Sequence, residues 1–168
     1  MNSGKIRMAP LRWETFAPFG TVIDLAGLPA RSVNEGRGMR ADLPDLDHEA
    51  QAGRPATAIY RMAPTRLPLP LREIEKHPLS AQLFAPLDPV RFVVVVAPGQ
   101  PDGEPDLEGL RAFCGEAGQG VVYAPDVWHM PLAILGDRDA QVLMQIWEAG
   151  DPLDCIVRKL DGASPIDF

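Results

Sequence analysis

Of the three histidines in this chain, two lie in the only stretches whose residue types read as chemistry. The first stretch is Glu75-Lys76-His77-Pro78-Leu79-Ser80-Ala81-Gln82, and the second is Gly120-Val121-Val122-Tyr123-Ala124-Pro125-Asp126-Val127-Trp128-His129. Imidazole is the side chain suited to proton transfer or metal ligation near neutral pH. On a strand, residues 75 and 77 share one face because side chains alternate. The break at His77-Pro78 can then turn the chain so that Gln82 returns beside them. His48 sits between Asp47 and Glu49 in a polar stretch and reads as exposed and inert.

Two stretches so far apart in sequence need a fold that brings strand ends together. The 18 prolines and 15 glycines are spread along the whole chain, which excludes a helical bundle and favours many short strands joined by tight turns. Strands are expected near 5–8, 21–25, 56–62, 69–77, 81–87, 91–97, 118–123, 130–135, 140–148 and 154–158. Val93-Val94-Val95-Val96 is β-branched and apolar throughout, so its strand is buried on both faces. Residues 9–16 read as a short helix begun by Pro10. The best helix is expected at 106–114, with Pro105 at its start, Asp106 and Glu108 in its first turn, and Leu107, Leu110 and Cys114 on one face. Residues 26–54 are polar and rich in Gly and Pro. Within them, Asn34 and Arg40 flank glycines that allow unusual backbone angles. The expected fold is mainly β, a β-barrel or sandwich with one or two short helices, in a single domain spanning 1–168.

Composition narrows the partners. A formal charge of −7 argues against nucleic acid and against an anionic membrane surface, both of which need a basic face. No apolar run approaches the ~20 residues of a membrane span, and the N-terminus lacks a signal-peptide core, so a cytoplasmic protein is expected. Cys114 and Cys155 form no CxxC and read as buried free thiols, with a disulfide only in an oxidising compartment.

Glu75-x-His77-x-x-x-x-Gln82 resembles the first metal motif of cupin barrels, His-x-His-x-x-x-x-Glu, with Glu and Gln at its two ends. Asp126-Val127-Trp128-His129 stands where that group's second motif ends in Gly-x-x-His. Taken with Phe16-Ala17-Pro18-Phe19-Gly20, Asn34-x-Gly36-x-x-x-Arg40, Ile59-x-Arg61, His77-Pro78-Leu79-x-x-Gln82, Leu110-Arg111-Ala112-Phe113 and Val127-Trp128-His129-x-Pro131-Leu132, the chain resembles the ureidoglycolate lyase family over nearly its whole length. It departs from that pattern at Ala124, Pro125 and Asp126. Met130 stands in place of a second histidine, and Gln145-Ile146-Trp147-Glu148 in place of an Asp-Arg pair.

The resemblance implies a carbon–nitrogen lyase that splits (S)-ureidoglycolate into glyoxylate and urea in allantoin and purine breakdown. It also implies a homodimer and admits a divalent metal ion such as Ni2+, or none. A site for this reaction must hold a carboxylate, take a proton from the carbinol hydroxyl and protonate the departing urea nitrogen. The carboxylate suits a guanidinium, so Arg40 is expected there, with Arg61 and the Asn34 amide as alternatives. His129 and His77 suit the proton transfers. Glu75 would orient His77 or hold its charged form, Gln82 would bind the urea group, and Tyr123 and Trp128 would line the substrate pocket. Any metal would fall to His77, Gln82, His129 and Glu75. Two rival readings remain open: an amidohydrolase releasing ammonia from the same substrate, and a non-catalytic small-acid-binding cupin.

Overall fold

The computed structural model describes residues 5–160 and 165–168. In chain order the strands are β1 (Ile6–Pro10), β2 (Gly20–Ile23), β3 (Ala30–Val33), β4 (Gly38–Ala41), β5 (Arg54–Met62), β6 (Pro64–Thr65), β7 (Glu73–Lys76) and β8 (Gln82–Pro86). They continue as β9 (Arg91–Ala97), β10 (Arg111–Gly115), β11 (Gly120–Tyr123), β12 (Trp128–His129), β13 (Ala133–Leu135), β14 (Ala140–Glu148), β15 (Ile156–Lys159) and β16 (Ile166–Asp167). Among the described residues the helical content is one four-residue helix, α1 (Trp13–Phe16), and a single turn at Pro152–Asp154.

Two sheets carry the fold. The larger runs β15-β7-β12-β9-β10-β1-β16, with β13 also on β9 and β6 on β13; the smaller runs β2-β11-β8-β14-β5. The inward faces of both pack together through Phe16, Phe84, Phe92, Val94, Phe113, Val121, Val142 and Ile146, the interdigitated layer expected of facing sheets. Val93 and Val95 point the other way, into a second apolar layer with Ile74, Trp128 and Met130 on the back of the larger sheet. The four-valine strand β9 is therefore buried on both faces, as its composition required.

The expected helix at 106–114 is a turn followed by a strand. The Asp106 carboxylate accepts from the Glu108 and Gly109 amides at 3.1 Å, closing a side-chain-capped turn where a helix would start. Arg111–Gly115 then extends as β10, wedged between β9 and β1, with Ala112 in the back layer and Phe113 in the core between the sheets. Pairing on both sides outweighs the local helical signal. The expected first helix is shortened too, because Pro10 ends β1 in register with Cys114 and leaves only Trp13–Phe16 to coil. Residues 26–54 hold the hairpin β3–β4, and His48 bridges to Ser80 while stacking on Trp147 at 3.7 Å. His48 is exposed as expected, but it is a fixed part of the wall.

Candidate active site

The site is built from two cross-strand pairs that face each other. On the larger sheet, His129 of β12 lies directly opposite Glu75 of β7; on the smaller, Tyr123 of β11 lies opposite Gln82 of β8. Residues 77–81 connect the two sheets, and His77 stands at the start of that crossing. The His77 and His129 rings lie 5.4 Å apart, and Tyr123 stacks flat on His129 at 4.1 Å. His77, Gln82, Tyr123 and His129 are buried, and the half-buried Glu75 is the member nearest solvent. The two distant sequence stretches do converge.

Backbone carbonyls set the histidine tautomers. His129 Nδ1–H donates to the Val127 carbonyl at 2.9 Å and His77 Nδ1–H to that of Asp154 at 2.5 Å. Both rings therefore turn a bare Nε2 inward. His129 Nε2 lies 3.7 Å from Glu75 Oε1 and His77 Nε2 lies 3.8 Å from the same oxygen. The side-chain oxygen of Gln82 stands 3.0 Å from His129 Nε2, again acceptor against acceptor. A half-turn of the Gln82 amide relieves that one contact. It leaves His77 Nε2 without a donor, and that atom and the Tyr123 hydroxyl are buried with no hydrogen-bond partner. Lone pairs so arranged call for a cation, either a shared proton or a metal ion.

The donor set fits a metal. His77, His129 and Glu75 each offer a ligand atom within 4.8 Å of the others. Each imidazole is braced through its far nitrogen, as metal-binding histidines usually are. Burial lowers His129 to a pKa of about 4, helped by the His77 charge and opposed by its bond to Val127 and by Glu75, so the ring is neutral at pH 7. Burial pushes Glu75 up, but its interactions with His77 and His129 outweigh this and hold the carboxyl below its ordinary range. Burial and Glu75 raise the Tyr123 phenol.

The remaining expected residues lie elsewhere. Trp128 alternates with His129 and so points to the back layer, where its indole N–H donates to the Gly103 carbonyl at 3.2 Å. It cannot line the pocket. Arg40 is exposed on the β3–β4 hairpin and bonded to Asp42 at 2.5 Å, with Asn34 at the hairpin's tip. Arg61 is exposed opposite Gln141, beside Asp88 and Asp139. None of the three joins the histidine cluster. Tyr60 and Cys155 were missed. Tyr60 stands 6.2 Å from Phe84, its phenol raised by partial burial and by the charges of Glu148 and Glu75. The exposed Cys155 thiol lies 3.7 Å from Glu75 and is pushed up to about 11 by burial and that carboxylate. Tyr60 is itself exposed, on the side of β5 that also carries Ala56, Ala58 and Met62, and that even-numbered alternation was the available signal for it. A cavity of about 450 Å³ opens elsewhere, between α1, β2 and Gln119, and holds none of these residues.

Residues 3–163 match the sequence model of a single family, described as ureidoglycolate lyase. The chain belongs to the ureidoglycolate lyase family. It is 42% identical over 166 residues to a protein of Burkholderia cepacia named ureidoglycolate lyase, covering 97% of this chain and 90% of the relative. A Burkholderia mallei (strain NCTC 10229) protein of the same name is 41% identical over 133 residues, with 79% and 76% covered. An Escherichia coli (strain SMS-3-5 / SECEC) ureidoglycolate lyase is 41% identical over 128 residues, with 76% and 79% covered. Among solved structures, a dTDP sugar isomerase from Desulfovibrio desulfuricans G20 shares the fold, with a TM-score of 0.50 at 18% identity over 80% of this chain and 83% of that one. The mainly β, cupin-like architecture is thus borne out. One departure from the ureidoglycolate lyase pattern loses its force on structural grounds. Met130 is packed in the back layer, so its exchange for histidine takes nothing from the cluster.

Proposed function

We propose that this protein cleaves (S)-ureidoglycolate to glyoxylate and urea, a reading supported by its relatives, which are named ureidoglycolate lyase. The observation that carries the reading is the acceptor-only convergence of His77, His129 and Glu75 in one buried corner. The reaction moves one proton. The carbinol O–H is lost as the C=O forms, the C–N bond breaks, and the urea nitrogen gains a hydrogen.

His77 is placed to take that proton, since its Nε2 is bare and unpartnered and its Nδ1 is anchored. Glu75 then faces an imidazolium and holds its charge until the proton passes to the leaving nitrogen. His129, lowered to about 4, is a reluctant base at neutral pH. Its role is to hold Gln82 against the ureido group, with Tyr123 beneath it. A divalent ion, nickel or another, would be held by Glu75, His77 and His129; with the His77 Nε2 so engaged, it would acidify the substrate hydroxyl in place of that base.

The protein would work in the cytoplasm on a small-molecule substrate. No helix among the described residues is long and apolar enough to cross a membrane. Incubating the purified protein with racemic ureidoglycolate, with and without chelator, tests the reading. Glyoxylate and urea in equal amounts are expected. Ammonia in place of urea, or saturable binding with no product, would overturn it.

A further inference from the structure

One loop grips two members of the cluster. Residues 149–155 carry the chain from β14 in the smaller sheet to β15, the edge of the larger one beside β7. Near the loop's end the Asp154 carbonyl accepts from His77 Nδ1–H at 2.5 Å, and the next residue, Cys155, donates its thiol to Glu75 Oε2 at 3.7 Å. The Asp154 side chain is engaged within its own loop. One carboxylate oxygen accepts from the three successive amides of Ala149, Gly150 and Asp151, at 3.1, 2.7 and 3.0 Å. The other accepts from Ala149 as well, at 3.1 Å. Gly150, at φ 77, lets those N–H groups converge. The Asp154 N–H in turn donates to the Asp151 carbonyl at 2.9 Å. Carboxylate and carbonyl belong to one residue, so fixing the first aims the second.

That aim decides which nitrogen of His77 carries the proton. A neutral imidazole has one N–H and one lone pair, and the hydrogen bond made by one nitrogen sets the other. Left free, His77 has a competing partner: Glu75 Oε1, 3.8 Å from Nε2, would accept a proton placed there. That tautomer ties Nε2 to the carboxylate and leaves the proposed base no lone pair facing the substrate. A fixed acceptor at Nδ1 opposes it, and among the described residues that acceptor is the Asp154 carbonyl. His129 is arranged differently. Its Nδ1–H donates to Val127, two residues back, so its tautomer does not depend on the loop.

We propose that Asp154 is a positioning residue for catalysis: its carboxylate, by gathering the amides of residues 149–151, aims its own carbonyl at His77 Nδ1 and so keeps the lone pair on Nε2. That His77 is the base rests on the function proposed above; that Asp154 sets its tautomer does not.

With three histidines in the chain, the tautomers can be read one by one. In metal-free protein labelled with 15N-histidine, at a pH well above the ordinary histidine value, long-range 1H–15N spectra should show His77 and His129 both in the Nδ1–H form. In Asp154→Ala the His77 signals should move to the Nε2–H form or a mixture, with His129 unmoved as the internal check of folding. Its kcat should fall roughly 10²-fold, towards that of H77A, with KM changed little. Asp154→Asn keeps one oxygen for the amides and should recover most of both. Asp151→Ala removes the neighbouring bond from the Leu153 amide, and should lose stability without moving the His77 signals. Should D154A not fold, Asp154→Ser, whose shorter hydroxyl meets at most one of the three amides, is held to the same outcomes. A His77 that stays Nδ1–H in the folded variant, or is Nε2–H in the wild type, overturns the proposal. So does a D151A that moves His77 as far as D154A does. A lost tautomer with unchanged kcat overturns Asp154's part in catalysis. If the wild type makes no glyoxylate and urea, the proposed reaction fails, and the spectra still decide whether Asp154 sets the tautomer.

Discussion

Strands β7 and β12 show two faces that could hardly be treated more differently. On the back, the buried Lys76 ammonium meets Asp126 at 2.7 Å and lies 5.0 Å over the Trp128 ring. Arg158 also lies over that ring and is doubly bonded to Glu104. Each of these charges has a partner of opposite sign. One residue away on the front, Glu75, His77 and His129 meet lone pair to lone pair, and a buried ring nitrogen has no donor. Polar groups buried for stability are almost always satisfied. A face left unsatisfied beside a saturated one is therefore reserved for something that arrives later. The back layer holds the strands so that the front can stay open.

The front should break most easily in activity. His77→Ala is expected to lower kcat/KM on the order of 10²–10⁴-fold, the usual worth of a placed general base, with a stability loss of about 1–2 kcal/mol, because its Nδ1–H bond to the Asp154 carbonyl is lost while its Nε2 bonds nothing. Steady-state glyoxylate release measures the first and urea unfolding the second. A large stability loss would instead make His77 a structural residue like Lys76. Glu75→Gln sharpens the contrast. The amide can donate to an imidazole Nε2 where the carboxylate cannot, so the chelator-treated variant should gain about 1 kcal/mol, read as a higher Tm. Turnover should fall roughly 10²-fold.

Much of this front was legible in the sequence, and the back was not. Alternation places Glu75 with His77 on one side, and the Pro78 break returns Gln82, so the first motif could be read without coordinates. His129 followed from Asp126-Val127-Trp128-His129, which stands where the cupin second motif ends in Gly-x-x-His, and from the family pattern. The same alternation should have removed Trp128 from the pocket, since it must face away wherever His129 faces in. Lys76 was invisible as a buried residue because nothing local marks a lysine whose partner, Asp126, comes from a loop fifty positions on. Arg40 and Arg61 were assigned by the chemistry the substrate needs. Chemical need does not fix a position, and the fold puts both on exposed surface. The helix expected at 106–114 failed for a related reason: local capping signals were real, but β9 and β1 offered Arg111–Gly115 a partner on each side.

The pH dependence of stability isolates the front in a different way. His129 has a pKa of about 4 in the folded protein and an ordinary value of 6.5. Between these values the unfolded chain binds more protons, so its contribution is whole above pH 6.5 and lost as pH falls towards 4. Integrated over that window it amounts to at most ~3 kcal/mol. Glu75, held below its ordinary 4.5, adds loss in the same direction at lower pH. Unfolding free energy of metal-free protein should therefore drop between pH 6.5 and 4. His129→Gln, which cannot titrate, should flatten the slope. An unchanged slope would mean the ring is not neutral in the folded state.

The back face should respond to change in stability, and its smallest test turns on one backbone angle. Asp126 sits at φ 63, in the left-handed region, and its carboxylate is the partner of Lys76. Asp126→Ala loses the ion pair and keeps a Cβ where the backbone disfavours one, so it should cost about 2 kcal/mol. Asp126→Gly loses the same pair but relieves the angle, and should cost about 1 kcal/mol less. Glycine more stable than alanine within a folded chain is the reverse of the usual order, and urea denaturation at pH 7 resolves a difference of that size. The kcat of both variants should stay within a few-fold of wild type, because the paired Lys76 and Asp126 side chains lie on the back and both variants keep the Asp126 N–H that donates to the His77 carbonyl. A fall in kcat matching that of Glu75→Gln, with no loss of stability, would mean that the two faces are one device and that the salt bridge sets the histidines rather than the sheet.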